Sequence, residues 1–310
     1  MGDLAHEFAF SPSRARGFED CLRKHYWSYY GAWRGWEDLA PPERRKAYFL
    51  KGMSAGILYC GTAVHEAIAE WFRARKRGEG RTKKMVRDDA VGRFKKAYEQ
   101  SKSRRAMKVG TKKAVLFEEH YYGDERIDTP AHLKKLVEER IEAAVEDFFT
   151  LAELAEVTGS DPSTWLYVDD DSIDSFELGG HKVYATPDFV MRRDDGTVLL
   201  VDWKTGRPKD ADEYQISFYT FWAMAKGYVP KTEPQRAKLM LAYLGNSVVK
   251  ELGYGVRGLR AIWDSTMATI AQMQELHFDA GESAGDVEQF PMTDDTSRCR
   301  WCPFRELCER

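Results

Sequence analysis

The sequence predicts an α/β fold, a central mixed β-sheet flanked by helices, on three observations. A helix-periodic segment at 61–75 precedes strand-like segments between 173 and 203. Glycine-bearing turns, Gly179-Gly180 and Asp194-Asp195-Gly196, separate those segments as hairpin turns do. A helix-patterned stretch at 212–226 and an apolar strand at 237–244 then alternate, as helices laid on a sheet require.

The elements follow in chain order. Ser11 is an N-cap and Pro12 a first helical residue, where a missing N–H costs nothing, so a helix opens there and runs towards Tyr30. It carries Cys21 and the aromatic group Tyr26, Trp27, Tyr29 and Tyr30, and Ala40-Pro41-Pro42 breaks the chain after it. In GTAVHEAIAEWFRAR, residues 61–75, Val64, Ile68, Trp71 and Phe72 recur at helical spacing. The charged stretch after it is helical to about Phe149, and residues 77–165 read as a helical insertion within one domain spanning 1–310. Strands are expected at 173–178, 182–192 and 197–203, a further pair at 237–244 and 248–252, and a long helix at 256–277.

With 310 residues, 43% of them hydrophobic and 31% charged, the chain can bury a sizeable core. No run of about 18 apolar residues is present to span a membrane, and the N-terminus lacks the pattern of a secretory signal, so a cytoplasmic protein is expected. The net charge of −3 hides two blocks. From Arg73 to Lys113 seventeen Lys/Arg stand against four Asp/Glu, and from Glu118 to Glu177 eighteen acids stand against four bases. The blocks predict either a basic surface for phosphates or helical faces that neutralise each other.

The stretch Thr186–Lys204 carries the chemistry. Asp188 lies in one strand, and Asp202 and Lys204 end the next, after the apolar run Val198–Val201. Strand side chains alternate faces, so Asp202 and Lys204 share a face and Trp203 points away. A short turn between the strands lets Asp188 come alongside Asp202. Two carboxylates at a sheet edge make a hard oxygen site for Mg²⁺ or Mn²⁺, with the Trp203 main-chain carbonyl as a further ligand. Such an ion neutralises a phosphodiester and acidifies water, and Lys204 can orient that water or stabilise developing charge. An exposed Asp–Lys ion pair is the bland alternative.

Thr186-Pro187-Asp188 and Asp202-Trp203-Lys204 resemble the motif of the PD-(D/E)XK nucleases, whose core is restriction-endonuclease-like. His65 in GTAVHEA and Gln215-Ile216-Ser217-Phe218-Tyr219 look like the additional motifs of the RecB-like branch, in that family's order. The resemblance implies Mg²⁺- or Mn²⁺-dependent hydrolysis of DNA, by exonuclease action on single-stranded or end-exposed DNA. It assigns His65 to the metal beside Asp188 and Asp202, and Gln215 and Tyr219, four apart on one helix face, to the DNA strand. Glu66 points about 100° away from His65. No helicase signature is present, so the partners implied are DNA and, for unwinding or spacer processing, a helicase or CRISPR adaptation proteins. A catalytically silent DNA-binding iron–sulfur module of a larger complex is the competing class, and its mark would be a missing Asp or Lys.

Of five cysteines, Cys299, Cys302 and Cys308 form C-x2-C-x5-C and Cys21 stands near the other end. Four thiolates can hold a [4Fe–4S] cluster or one Zn²⁺, and spacing alone leaves both open. The arrangement resembles the iron–sulfur members of the RecB-like branch, the AddB-type subunits and the CRISPR-associated exonucleases. That resemblance implies a [4Fe–4S] cluster stapling the N-terminal helix to the C-terminal tail, which has little apolar content of its own at 281–296. Cys60 has no partner in sequence and is expected to be a buried free thiol.

Overall fold

The computed structural model describes residues 6–103, 115–123, 129–170, 172, 174–280 and 285–310. In chain order its helices are α1 (Pro12–Asp20), α2 (Leu22–Tyr26), α3 (Pro42–Lys51), α4 (Gly56–Lys76), α5 (Lys83–Lys102), α6 (Glu118–Tyr122), α7 (Pro130–Lys135), α8 (Ala143–Thr150), α9 (Ala155–Gly159), α10 (Asp210–Ala225) and α11 (Val256–Glu275). Its strands are β1 (Met53–Ser54), β2 (Leu116–Phe117), β3 (Trp165–Val168), β4 (Phe176–Leu178), β5 (His181–Val183), β6 (Phe189–Arg192), β7 (Val198–Lys204), β8 (Ala237–Tyr243) and β9 (Val248–Leu252). They fall into two compact units, one of residues 1–56, 97–124 and 266–310, the other of 57–96 and 125–265.

The second unit holds the expected mixed sheet, in the order β3-β6-β7-β8-β9. Within this sheet β7 and β8 alone run parallel, and α10 is the crossover between them, packed on β8. β7 is buried along its length up to Trp203, which is why its sequence reads as a continuous apolar run. The β4–β5 hairpin turns at Gly179 and Gly180, both at positive φ (59° and 81°), where a side chain would be strained.

Two strand expectations need correction. The segment 182–192 is not one strand: β5 pairs only with β4, and the sheet strand β6 begins at Phe189. Pro187 between them has no N–H to give to a ladder. The edge strand β3 begins only at the last residue of the stretch read as helical insertion and precedes the first strand expected at 173, and a register irregularity between Trp165 and Tyr167 interrupts its pairing with β6. Four residues without clean alternation leave little pattern to read.

In the first unit, Ser11 caps α1 by accepting the Arg14 N–H, as expected. The helix does not run on to Tyr30. Cys21 breaks it in an extended conformation (φ −169°, ψ 115°) and starts α2, its Sγ accepting the Lys24 N–H at 3.5 Å. A π-helical turn at Trp27–Gly31 follows. Tyr26, Trp27 and Tyr30 form an aromatic core with Phe290 and Phe304 from the tail. Those two fully buried rings give the tail an apolar anchor that its overall polarity conceals.

Much of the basic block is matched internally. Arg81 and Arg93 pair with Asp89, Arg93 also with Glu66, Lys84 with Asp88, and Lys83 with Glu146 from the acidic block. The neutralising-faces alternative describes this part; residues 104–113 of the block lie outside the described residues. No described helix is long and apolar enough to cross a membrane.

Candidate active site

The antiparallel register of β6 and β7 ends at Phe189 opposite Val201. The Asp188 N–H still donates to the Val201 carbonyl at 3.0 Å, carrying the pairing one step further. That bond is one residue out of the regular register, and the Asp188 carboxylate lies close enough to Asp202 to act on it electrostatically. Trp203 turns to the other face, its indole parallel to Phe72 and edge-on to Phe148. Its main-chain N–H donates to Asp188 Oδ2 at 2.7 Å. Its carbonyl faces the same side, because N–H and C=O of one strand residue point to the same neighbour.

Each carboxylate is braced from a helix. His65 on α4 places Nδ1 at 3.2 Å from Asp188 Oδ1. Tyr219 on α10 donates its hydroxyl to Asp202 Oδ1 at 2.6 Å. Lys204 Nζ lies 2.6 Å from Asp202 Oδ2, and Gln215 Oε1 accepts from the same ammonium at 3.4 Å. Asp202 Oδ2 is buried, and the Lys204 ammonium is the group it faces, as an ion pair.

The charges follow from burial and neighbours. Burial works to raise the Asp188 carboxyl, but the adjacent His65, the Trp203 N–H and Lys204 outweigh it and hold it below its ordinary range. Asp202 is pushed up, first by burial and then by Asp188, against the pull of Lys204. Burial works to lower His65 and Lys204, yet Asp188 and Asp202 respectively lift them above their ordinary values. Tyr219 is raised well above its ordinary value by burial and by Asp202, so it stays a donor. Two carboxylates, one of them reluctant to ionise, form a site that a cation would relieve.

All six residues expected at the site meet in one unit. Glu66 does not join them; it pairs with Arg93 at 2.6 Å. Several supports carried no readable signal. A Cβ on Gly61 would lie 2.8 Å from Thr205 Oγ1, so glycine lets α4 approach the end of β7 one turn before His65. Arg140 donates to the Thr205 carbonyl at 3.2 Å. Arg73 donates to the Asp169 carbonyl at 2.8 Å, and the Asp169 N–H donates to the Asp188 carbonyl at 3.0 Å.

The family model of the PD-(D/E)XK nuclease superfamily matches residues 9–309. The chain belongs to that superfamily. No curated protein matches it. Among solved structures it is similar to "Crystal structure of SSO0001", at 13% identity over 61% of this chain and 77% of that one, with a TM-score of 0.29.

As a PD-(D/E)XK superfamily member the chain is expected to use a divalent ion. Among the described residues no three His, Cys, Asp or Glu side chains close around a point that would hold a metal ion. Mg²⁺ needs less than that: it binds through one or two carboxylates and completes its shell with water and substrate phosphate. Asp202, whose buried carboxyl is raised by burial and by Asp188 beside it, supplies with Asp188 the hard oxygen pair such an ion takes. His65 as it stands is engaged with Asp188 by hydrogen bond.

The four cysteines of the superfamily member lie in the first unit, in the α1–α2 break and the tail turns. The Cys302 thiol is pushed up to about 11, chiefly by burial and in part by Cys308 and Cys21. Burial likewise raises Cys308, with Cys21 and Cys299 adding to it. Cys21, Cys302 and Cys308 thus act on one another electrostatically and Cys299 acts on Cys308, but among the described residues no three of these thiols close around a point that would hold a metal ion. Cys60 is buried, its Sγ 3.9 Å from the Leu136 carbonyl.

Proposed function

We propose that the chain is a Mg²⁺- or Mn²⁺-dependent deoxyribonuclease of the RecB-like branch, an exonuclease on single-stranded or end-exposed DNA. The observation that carries this reading is the meeting of Asp188, Asp202 and Lys204 on one sheet face, with His65 and Tyr219 braced against the two carboxylates. When bound, a divalent cation supplies Lewis-acid neutralisation of the phosphodiester and acidifies water. Asp188, Asp202 and the Trp203 carbonyl are the oxygens that would hold it. His65 fixes the direction of Asp188, and Tyr219 that of Asp202, so neither must reorganise as charge develops. Lys204 presents its ammonium to the attacking water or to the phosphate oxygens, and Gln215 limits its swing. Cys21, Cys299, Cys302 and Cys308 are the ligands we propose for a [4Fe–4S] cluster.

End-labelled single- and double-stranded DNA, incubated with Mg²⁺ or Mn²⁺, tests the site. Asp202→Ala and Lys204→Ala are each expected to slow cleavage by roughly 10²–10³-fold. An Asp202→Ala protein that cuts as fast as the parent refutes the assignment. Protein purified without oxygen is expected to be brown, with iron and sulfide in equal amounts; one zinc in their place refutes the cluster and leaves the nuclease reading intact.

A further inference from the structure

Lys204 Nζ sits 2.6 Å from Asp202 Oδ2, the oxygen best suited to take a divalent ion. An ammonium and a divalent cation repel, so they cannot share that oxygen without a large electrostatic cost. If the cation reading above holds, Lys204 must let go of Asp202 and find another acceptor. Gln215 Oε1, at 3.4 Å, is neutral.

Asp212 is the third carboxylate, after Asp202 and Asp188, whose charge acts on Lys204. It is buried, which is rare for an aspartate that lacks a charged partner. Its Oδ2 accepts the Tyr243 hydroxyl at 3.2 Å. Tyr243 is the register partner of Lys204 in the parallel β7–β8 pair, so the two side chains leave the sheet on one face. On α10, Asp212, Gln215 and Tyr219 stand at i, i+3 and i+7, a single helical stripe. Gln215 meets Lys204 and Tyr219 meets Asp202, while Asp212 meets Tyr243 beside Lys204 across the β7–β8 pair and acts electrostatically on that lysine.

We propose that Asp212 is a positioning residue that receives the Lys204 ammonium when a divalent cation takes Asp202. The lysine then stays charged and poised beside the ion. Without Asp212, Lys204 falls back on Asp202 and competes with the cation. A carboxylate in the first turn of α10 also suits the helix dipole, so the test has to separate the two roles.

Mn²⁺ binding to the whole protein without DNA, followed by titration calorimetry or by the electron-spin signal of free Mn²⁺, does this. Asp212→Asn is expected to weaken Mn²⁺ binding about fivefold, the scale of one modest ion pair. Lys204→Met removes the competing ammonium and is expected to tighten it. In the Lys204→Met background, Asp212→Asn is expected to change binding by less than about twofold, because its effect runs through the lysine. Asp212→Glu, which keeps the acceptor, restores binding and serves also if the asparagine variant fails to fold. An equal loss from Asp212→Asn in both backgrounds overturns the proposal in favour of a dipole or general-field role. Failure of the parent itself to bind Mn²⁺ overturns the cation reading and this inference with it, a result distinct from the first because no variant then binds.

Discussion

At the end of β7 the acidic side chains are held by the fold. Asp188 is gripped by the Trp203 N–H and His65, Asp202 by Tyr219 and Lys204, and their backbones belong to a buried sheet. Around the cysteines the supports differ in kind. Cys21 sits at a helix break, and Cys299, Cys302 and Cys308 lie on short 3₁₀ turns. Their polar contacts are weak ones, such as the Lys24 N–H on Cys21 Sγ at 3.5 Å and Arg310 on Cys299 Sγ at 4.0 Å. What anchors that tail is Phe290 and Phe304 in the aromatic core, with the Arg23 guanidinium on the Phe290 carbonyl at 2.7 Å. One site is organised before its ligand arrives; the other has its chain ends docked and leaves the thiol geometry to ligation.

The comparison can be broken in three places. The largest effect is expected from Trp203→Ala. The indole is 1% exposed and packs on Phe72 and Phe148, so its removal should cost about 3–5 kcal/mol in urea unfolding. A cost under about 1 kcal/mol would mean that the carboxylate site does not stand on the core. Next is Cys302→Ser. Iron and sulfide should be lost and Tm should fall by roughly 5–10 °C, while Mn²⁺ binding at Asp188 and Asp202 persists. Parallel loss of Mn²⁺ would show that the two sites are not independent.

The smallest effect concerns His65. Asp188 lifts its pKa above 6.5 in spite of burial, so the charged pair contributes fully below pH 6.5 and is lost as pH rises through the folded value. Asp188 itself stays ionised there, because its own pKa is held down. With chelator present, the Tm gap between parent and His65→Gln should be wider near pH ~5.5 than near pH ~9, by about a few degrees. A gap that does not change with pH would leave only a neutral hydrogen bond between His65 and Asp188.

What could be read without coordinates was whatever short-range pattern dictates. The apolar run Val198–Val201 ending in Asp202, the alternation that puts Lys204 on the same face, the paired glycines of the β4–β5 hairpin and the Ser11 cap each depend on neighbours in the chain. What the tertiary structure alone decided depends on distance in the chain. It broke the first helix at Cys21, divided the segment 182–192 at Pro187, and added the edge strand β3 ahead of the first strand expected at 173. It also brought Gly61 against Thr205 and Asp212 against Tyr243, contacts across 144 and 31 positions respectively. Local sequence sets backbone preference and side-chain alternation, but a close approach between elements is the outcome of packing, and no period in the chain encodes it.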